Sequence, residues 1–329
     1  TNTSGYHERQ ATWSPDGKSI AFISDESGEE QIYIKNVEKN NKQNVISNCS
    51  NSRLRNLSWS PDGKKIGYSD QRSTYFFIEL ESMKTQKVFF DLYAGSQYSV
   101  DASWSPDSNW LVLNRHAGNS LRFIQLYFLK KNRIYTVTDG RTDDFSPVFD
   151  SQGNYLYWVS NRKVNVEFVF VGNHETFFQS NPSIILVANL RSDMISPLAG
   201  QRISETRGGE RNTGDLKIDL EGLSSRITAL PIGNSHYDNL ISVAGKLIYA
   251  SAPDNGDASI RLFDFNDKKE YKLMENINSF QLSSAGNKIL YTKSEYLSLL
   301  DLRADQKLDA GRVDLSGINL SVDLKREWK

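Results

Sequence analysis

Trp13-Ser14-Pro15-Asp16-Gly17 returns as Trp59-Ser60-Pro61-Asp62-Gly63 and again as Trp104-Ser105-Pro106-Asp107-Ser108. A weaker echo stands at Phe149-Asp150-Ser151-Gln152-Gly153. The aromatic that opens each phrase recurs after 46, 45 and 45 residues. A fixed period of this length marks a stack of similar small units, and with strand-rich filling it predicts β-propeller blades. The phrase itself is a type I turn with Ser at the first position, Pro pre-setting φ at the second, Asp at the third and Gly at the fourth. It joins two antiparallel strands in a tight hairpin.

Working outward, the residues before each turn form the inner strand and the apolar runs after it the second: Ile20-Ala21-Phe22-Ile23, Ile66-Gly67-Tyr68, Trp110-Leu111-Val112-Leu113 and Tyr155-Leu156-Tyr157-Trp158-Val159. Third strands follow at Gln31–Ile34, Tyr75–Ile78, Phe123–Leu126 and Ile184–Val187, each followed by a more polar fourth. Two further units, around Gly245 and Gly286, keep the outline without the phrase. The expectation is an all-β propeller of four-stranded antiparallel blades, six of them visible in this chain. Their limits are about 1–47, 48–92, 93–138, 139–233, 234–275 and 276–320. No second hairpin is read between Gly153 and Gly245, so residues 163–215 are taken as an insertion in the fourth blade, whose outer strand is Arg226–Leu230. The phrase tryptophans are expected to fill the wedges between blades with their indole N–H bonded locally, and the phrase aspartates to serve the turns.

Lys+Arg 39 against Asp+Glu 40 leaves a formal charge of −1, which gives no electrostatic reason to propose nucleic acid or an anionic membrane as partner. The single Cys49 excludes an internal disulfide framework and a multi-cysteine metal site. No stretch reaches the roughly 18 apolar residues that span a bilayer. The start, Thr1-Asn2-Thr3-Ser4-Gly5, carries neither initiator Met nor a secretion signal, and the chain reads as a piece of something longer.

Reactive constellations are not legible. His7-Glu8 and His174-Glu175 lack the second histidine of a zinc-protease helix, and neither Gly-x-Ser-x-Gly nor a phosphate-cradling glycine loop occurs. No catalytic residue, metal or cofactor is therefore assigned. The connections after the second strands carry charge, and Arg72, Arg115, His116 and Arg162 are the candidate binding residues, the guanidinium forks suited to bidentate contact with carboxylate groups. Solvated loop charge is the competing reading.

These phrases resemble the family that includes tricorn protease and the TolB-type propellers. Three stretches resemble the tricorn branch: Ser146–Arg162 followed by the aromatic insertion, Lys217–Ile227 with Ala229-Leu230-Pro231, and Val322–Lys329. The resemblance implies the second, seven-bladed propeller of a tricorn-like serine peptidase, with one blade upstream of Thr1. Residues 321–329 would then begin a link to a C-terminal domain. It implies a non-catalytic module that gates or guides unfolded peptides to a protease core outside this chain. The implied partners are oligopeptides, and the core and a PDZ-like module of the same parent, itself a homo-oligomer. The implied compartment is cytoplasmic, or periplasmic if a signal precedes the fragment. A stand-alone TolB-like interaction propeller and the propeller of a prolyl-oligopeptidase-type hydrolase remain alternatives.

Overall fold

In each phrase the fourth residue's amide donates to the first residue's carbonyl: Gly17 to Ser14 at 2.9 Å, Gly63 to Ser60 at 2.8 Å, Ser108 to Ser105 at 2.9 Å and Gly153 to Asp150 at 2.9 Å. All four donors have positive φ, Ser108 included at 59°. The Ser hydroxyl does double duty. Ser14 Oγ donates to Asp16 Oδ1 at 2.6 Å and accepts the Ser19 amide at 2.9 Å, and Ser60 and Ser105 repeat the pattern.

The computed structural model describes residues 6–39, 42–45, 52–94, 100–162, 165–171, 174–180, 183–199, 215–252, 258–277, 279–283, 286–293, 296–302 and 311–317. Blade 1 comprises β1 (Glu8–Trp13), β2 (Ser19–Ser24), β3 (Gln31–Asn36) and β4 (Lys42–Val45). Blade 2 comprises β5 (Leu54–Trp59), β6 (Lys65–Asp70), β7 (Thr74–Glu79) and β8 (Lys84–Phe90). Blade 3 comprises β9 (Ala102–Trp104), β10 (Trp110–His116), β11 (Arg122–Phe128) and β12 (Arg133–Thr136). Blade 4 comprises β13 (Asp144–Phe149) and β14 (Tyr155–Ser160), then, beyond a hairpin of β15 (Asn165–Val171) and β16 (His174–Ser180), β17 (Ile184–Asn189) and β18 (Ile227–Ala229). Blade 5 comprises β19 (His236–Val243), β20 (Lys246–Ala252), β21 (Ser259–Asp264) and β22 (Lys269–Glu275). Blade 6 comprises β23 (Ser279–Leu282), β24 (Lys288–Lys293) and β25 (Tyr296–Asp301). Every pairing is antiparallel, and within each blade the strands lie in chain order. The chain is an all-β propeller fold.

Two compact units result. Unit 1 runs up to Val100 and includes Asp314 onward; unit 2 runs from Asp101 to Val313. In unit 1, Ala21, Ile23 and Ile32 of blade 1 meet Leu54, Ile66, Tyr68 and Ile78 of blade 2. In unit 2 the strand alternation sends Leu156 and Trp158 toward Val112 and Leu126 of blade 3, and Tyr157 and Val159 toward Leu247 and Tyr249 of blade 5. Both faces of blade 4 are thereby buried, which is why its strands read as unbroken apolar runs. Each such side chain contributes about 1.5–3 kcal/mol on burial.

Four features differ from the sequence expectations. Trp13 is 56% exposed, while Trp104 is 7% and Phe149 3% exposed. Trp59 does not bond locally: its Nε1 donates to Thr12 O of the preceding blade at 3.2 Å. The insertion contains a true hairpin, β15 with β16, paired from Asn165↔Ser180 to Val171↔His174. Finally, blade 6 has three strands among the described residues. The fourth place beside β25 holds a short bridge, with Leu299 N–H on Gly311 O at 2.9 Å and Val313 N–H on Leu297 O at 2.8 Å. Gly311 is required there, because a Cβ would stand 2.1 Å from Leu299 O.

Candidate functional site

The first strand of a blade slips register at one place. In β1, β5, β13 and β19 the ladder shifts between Arg9 and Thr12, Arg55 and Ser58, Phe145 and Val148, and Asp238 and Ile241. Within each slip one residue is left-handed: Gln10 (φ 53°), Asn56 (57°), Ser146 (48°) and Asn239 (52°). A bulge adds one residue and frees its backbone groups from the ladder, and a polar side chain tolerates the conformation best. Gln10, Asn56 and Ser146 each stand three residues before the phrase aromatic, as does Asp101 in blade 3.

The freed groups stitch successive first strands together. In unit 1 the Asn56 amide donates to Gln10 Oε1 at 2.8 Å, and Asn56 Nδ2 donates to Val100 O at 3.0 Å. In unit 2 the Ser146 amide donates to Asp101 Oδ2 at 3.4 Å, Ser146 Oγ to Asp238 Oδ1 at 2.8 Å, and Asn239 Nδ2 to Phe280 O at 3.4 Å. Burial pushes the Asp101 carboxyl above its ordinary range, against the Arg122 charge and the Ser146 amide, and the Asp238 carboxylate adds to the rise. Gln10, Asn56, Asp101, Ser146, Asp238 and Asn239 are thus engaged with one another or with backbone, each within its own unit.

The second set of groups lies at the ends of the second and third strands. Arg122 opens β11. Its Nε and Nη2 fork the Asp143 carboxylate at 2.8 and 2.7 Å, its own amide donates to the same oxygen at 2.9 Å, and its guanidinium stacks 3.9 Å over the Phe145 ring. Burial alone would raise Asp143, but the Arg122 hydrogen bonds and charge, with a lesser contribution from His116, hold it below the usual carboxylate range. The adjacent Asp144 is fully buried and raised by that burial, although Ser160, Thr138, Arg162 and Thr142 oppose the rise. The Ser160 hydroxyl donates to Asp144 and also receives Arg162 Nε at 3.2 Å. That serine is a cross-link between β13 and β14.

The four residues singled out in the sequence are distributed as follows. Arg115 and His116 are the last two residues of β10 and not part of a connection; as strand neighbours they point to opposite faces. Arg115 Nη1 donates to Gln125 Oε1 at 3.3 Å, and His116 is buried near Asp143. Arg72 and Arg162 are exposed, each two residues beyond the end of its second strand, β6 and β14. The Arg72 turn is pinned by Asp70, whose Oδ1 accepts the Arg72 amide at 3.0 Å and the Thr74 amide at 2.8 Å. Among the described residues Arg72 makes no ion pair, and Arg162 bonds through Nε alone. Unit 2 therefore joins His116 and Arg162 through the consecutive carboxylates Asp143 and Asp144, while Arg72 belongs to unit 1. Among the described residues no three His, Cys, Asp or Glu side chains are placed to hold a metal ion, and no helix is long and apolar enough to cross a membrane.

Sequence reasoning missed Arg122, Asp143 and the bulge residues. The bulge positions carry a signal, since they keep the 45-residue period. The Arg122–Asp143 pair carries none, being two charges 21 residues apart.

The family model of the tricorn protease second β-propeller domain matches residues 1–303. The tricorn-like protease C-terminal subunit of Sulfurisphaera tokodaii is 27% identical over 252 residues, covering 71% of this chain and 28% of the relative. The tricorn protease homolog of Saccharolobus solfataricus is 25% identical over 256 residues, 71% of this chain and 22% of the relative. The chain thus spans about a quarter of the length of these curated relatives. The crystal structure of tricorn protease superposes with a TM-score of 0.76 at 17% identity, over 90% of this chain and 29% of that one.

Proposed function

The chain belongs to the family of tricorn protease second β-propeller domains, and on that premise we propose that it is a non-catalytic module which gates or guides unfolded peptides to a serine-peptidase core lying outside residues 1–329. The observation that carries this reading is the inner-strand stitching. A wall whose bulge residues bond one another is polar, yet offers few unsatisfied groups to hold a passing chain. An extended polypeptide can then slide past without being trapped. Arg72 and Arg162, at matching loop positions of blades 2 and 4, supply exposed guanidinium groups to receive carboxylates on the incoming peptide. Arg115 and His116 belong to the same proposed face, with a supporting role because their side chains are engaged within the blades. We assign residues 1–320 to one propeller with the blade limits given above, an insertion at 163–215, and a link from 321. The partners in this reading are oligopeptides, the core and PDZ-like module of the same parent, and further copies of that parent, in the cytoplasm.

The test uses the chain as it stands. A fluorescent, permanently unfolded acidic polypeptide is titrated with residues 1–329, and hydrolysis of a short fluorogenic peptide is followed in parallel. The expected result is binding without turnover, weakened about tenfold in Arg72→Ala/Arg162→Ala. Undiminished binding by that variant removes the arginines from the reading. Turnover that vanishes on replacing a serine within the chain overturns the non-catalytic assignment.

A further inference from the structure

Successive blades meet at a pair of positions that ladder register makes equivalent. One is the residue just ahead of the third-strand partner of the position eleven places after the phrase aromatic (Ser24, Arg115 and Ser160); the other is the residue just ahead of the next blade's first strand. From blade 1 to blade 2 these are Glu30, ahead of Gln31↔Ser24, and Arg53, ahead of Leu54↔Asp70. From blade 3 to blade 4 they are Arg122, ahead of Phe123↔Arg115, and Asp143, ahead of Asp144↔Ser160. From blade 4 to blade 5 they are Ser183 and Ser235, joined by a backbone bridge.

The two charged junctions among the described residues have opposite polarity. At the first, the acid sits on the departing blade: Glu30 accepts the Leu54 amide of blade 2 at 2.8 Å, stands 3.8 Å from Arg53 Nε, and is held by Arg9 of its own blade at 3.3 Å. Arg9 Nη2 also donates to Leu54 O at 2.7 Å. At the other, the base sits on the departing blade and the acid arrives with the next, in the bidentate Arg122–Asp143 pair. The acids are shielded, with Glu30 and Asp143 side chains each 20% exposed, and so is Arg122 at 26%, while Arg53 is 69% exposed.

We propose that this reversal of polarity tells the blades apart during folding, so that each docks against its own successor. Blades 1 to 3 share the turn phrase, blade 4 echoes it, and their faces are similarly apolar, so their cores discriminate poorly, and repeated units misassemble by docking out of order. Docking blade 1 against blade 4 would set Glu30 against Asp143. Docking blade 3 against blade 2 would set Arg122 against Arg53. Each error juxtaposes like charges in a partly shielded site, whereas each native junction pairs opposite ones.

The full chain is refolded from urea by dilution, and native monomer is measured by size exclusion. Arg122→Glu/Asp143→Arg gives both charged junctions the same polarity. Glu30→Arg/Arg9→Glu/Arg53→Glu does so in the other sense. Each swap is expected to lower the native yield about threefold or more, and combining the two swaps, which restores opposite polarities, is expected to recover it. Uncharged Arg122→Gln/Asp143→Asn should lose less yield than either swap. Wild-type yield from both single swaps overturns the proposal. So does failure of the combined swap to recover, or an equal loss in the uncharged variant, since either would show that pair strength and not polarity matters.

Discussion

Blades 3 and 4 are neighbours in unit 2 with closely related turns, yet they handle charge in opposite ways. In blade 3 the turn carboxylate, Asp107, is half-buried against the Leu216 amide. Its partial burial is outweighed by the Ser105 hydroxyl, the Leu216 amide and Asn109, and it titrates below the ordinary range. Its loop-end arginine, Arg122, is locked on Asp143. In blade 4 the turn carboxylate is Asp150, two places earlier in the phrase, where blades 1 to 3 have serine. It is 4% exposed and held by the Gln152 and Asn154 amides at 3.2 Å and the Ser242 hydroxyl at 3.3 Å, with no cation among its partners. Burial raises it. Blade 4's arginine, Arg162, is left exposed. One turn geometry thus tolerates two electrostatic solutions, and only the second leaves a guanidinium available.

The comparison is sharpest at the clasp. Asp143→Ala strands the Arg122 guanidinium and is expected to lower stability by about 3 kcal/mol in urea titration, with peptide binding unchanged. A loss under about 1 kcal/mol would mean the pair is solvent-screened like an ordinary surface bridge. Next come the two turn carboxylates, whose pH dependences should have opposite sign. Asp107, lowered in the fold, contributes stability that is present above its unfolded value and lost as pH falls through its folded one. Asp150, raised in the fold, contributes stability that is complete below its unfolded value and lost as pH rises through its folded one. At pH 7, Asp107→Asn is expected to cost about 1–2 kcal/mol, while Asp150→Asn costs less or stabilises. Stability measured against pH for both variants checks this, and parallel curves would erase the distinction. Gly153→Ala comes third. Gly153 has φ 77° and a Cβ there would meet Leu216 Cδ1 at 2.7 Å, so a loss of about 1 kcal/mol is expected, visible as lower amide protection of Leu216. Smallest is Arg162→Ala, expected within about 0.5 kcal/mol of wild type in stability because the group is exposed and makes a single 3.2 Å bond, from Nε to Ser160 Oγ.

The turn phrase was legible because its chemistry is local: Ser, Asp and Gly act within five residues. The apolar runs were legible because each is buried on both faces. Arg122 and Asp143 were not, because the fork closes between two blades and leaves no local pattern. Arg115 and His116 were read as loop because their charge masked the last two rungs of β10, where the ladder runs on to His116↔Arg122. Asp101, Ser146 and Asn56 stood at a readable period, but their partners lie one blade away. Trp13 shows the limit of repetition: the same residue at the same position is buried or exposed according to what covers it.

The measurement that bears most directly on the proposed gating role is made in the longer peptidase proposed above to carry this chain. Arg72→Ala/Arg162→Ala is introduced, and kcat/KM is compared for a long unfolded acidic polypeptide and for a short fluorogenic peptide. A fall of about tenfold for the long substrate with the short one unaffected is the predicted result. Equal values for both substrates, in mutant and wild type alike, would contradict a passage for unfolded chains through this propeller.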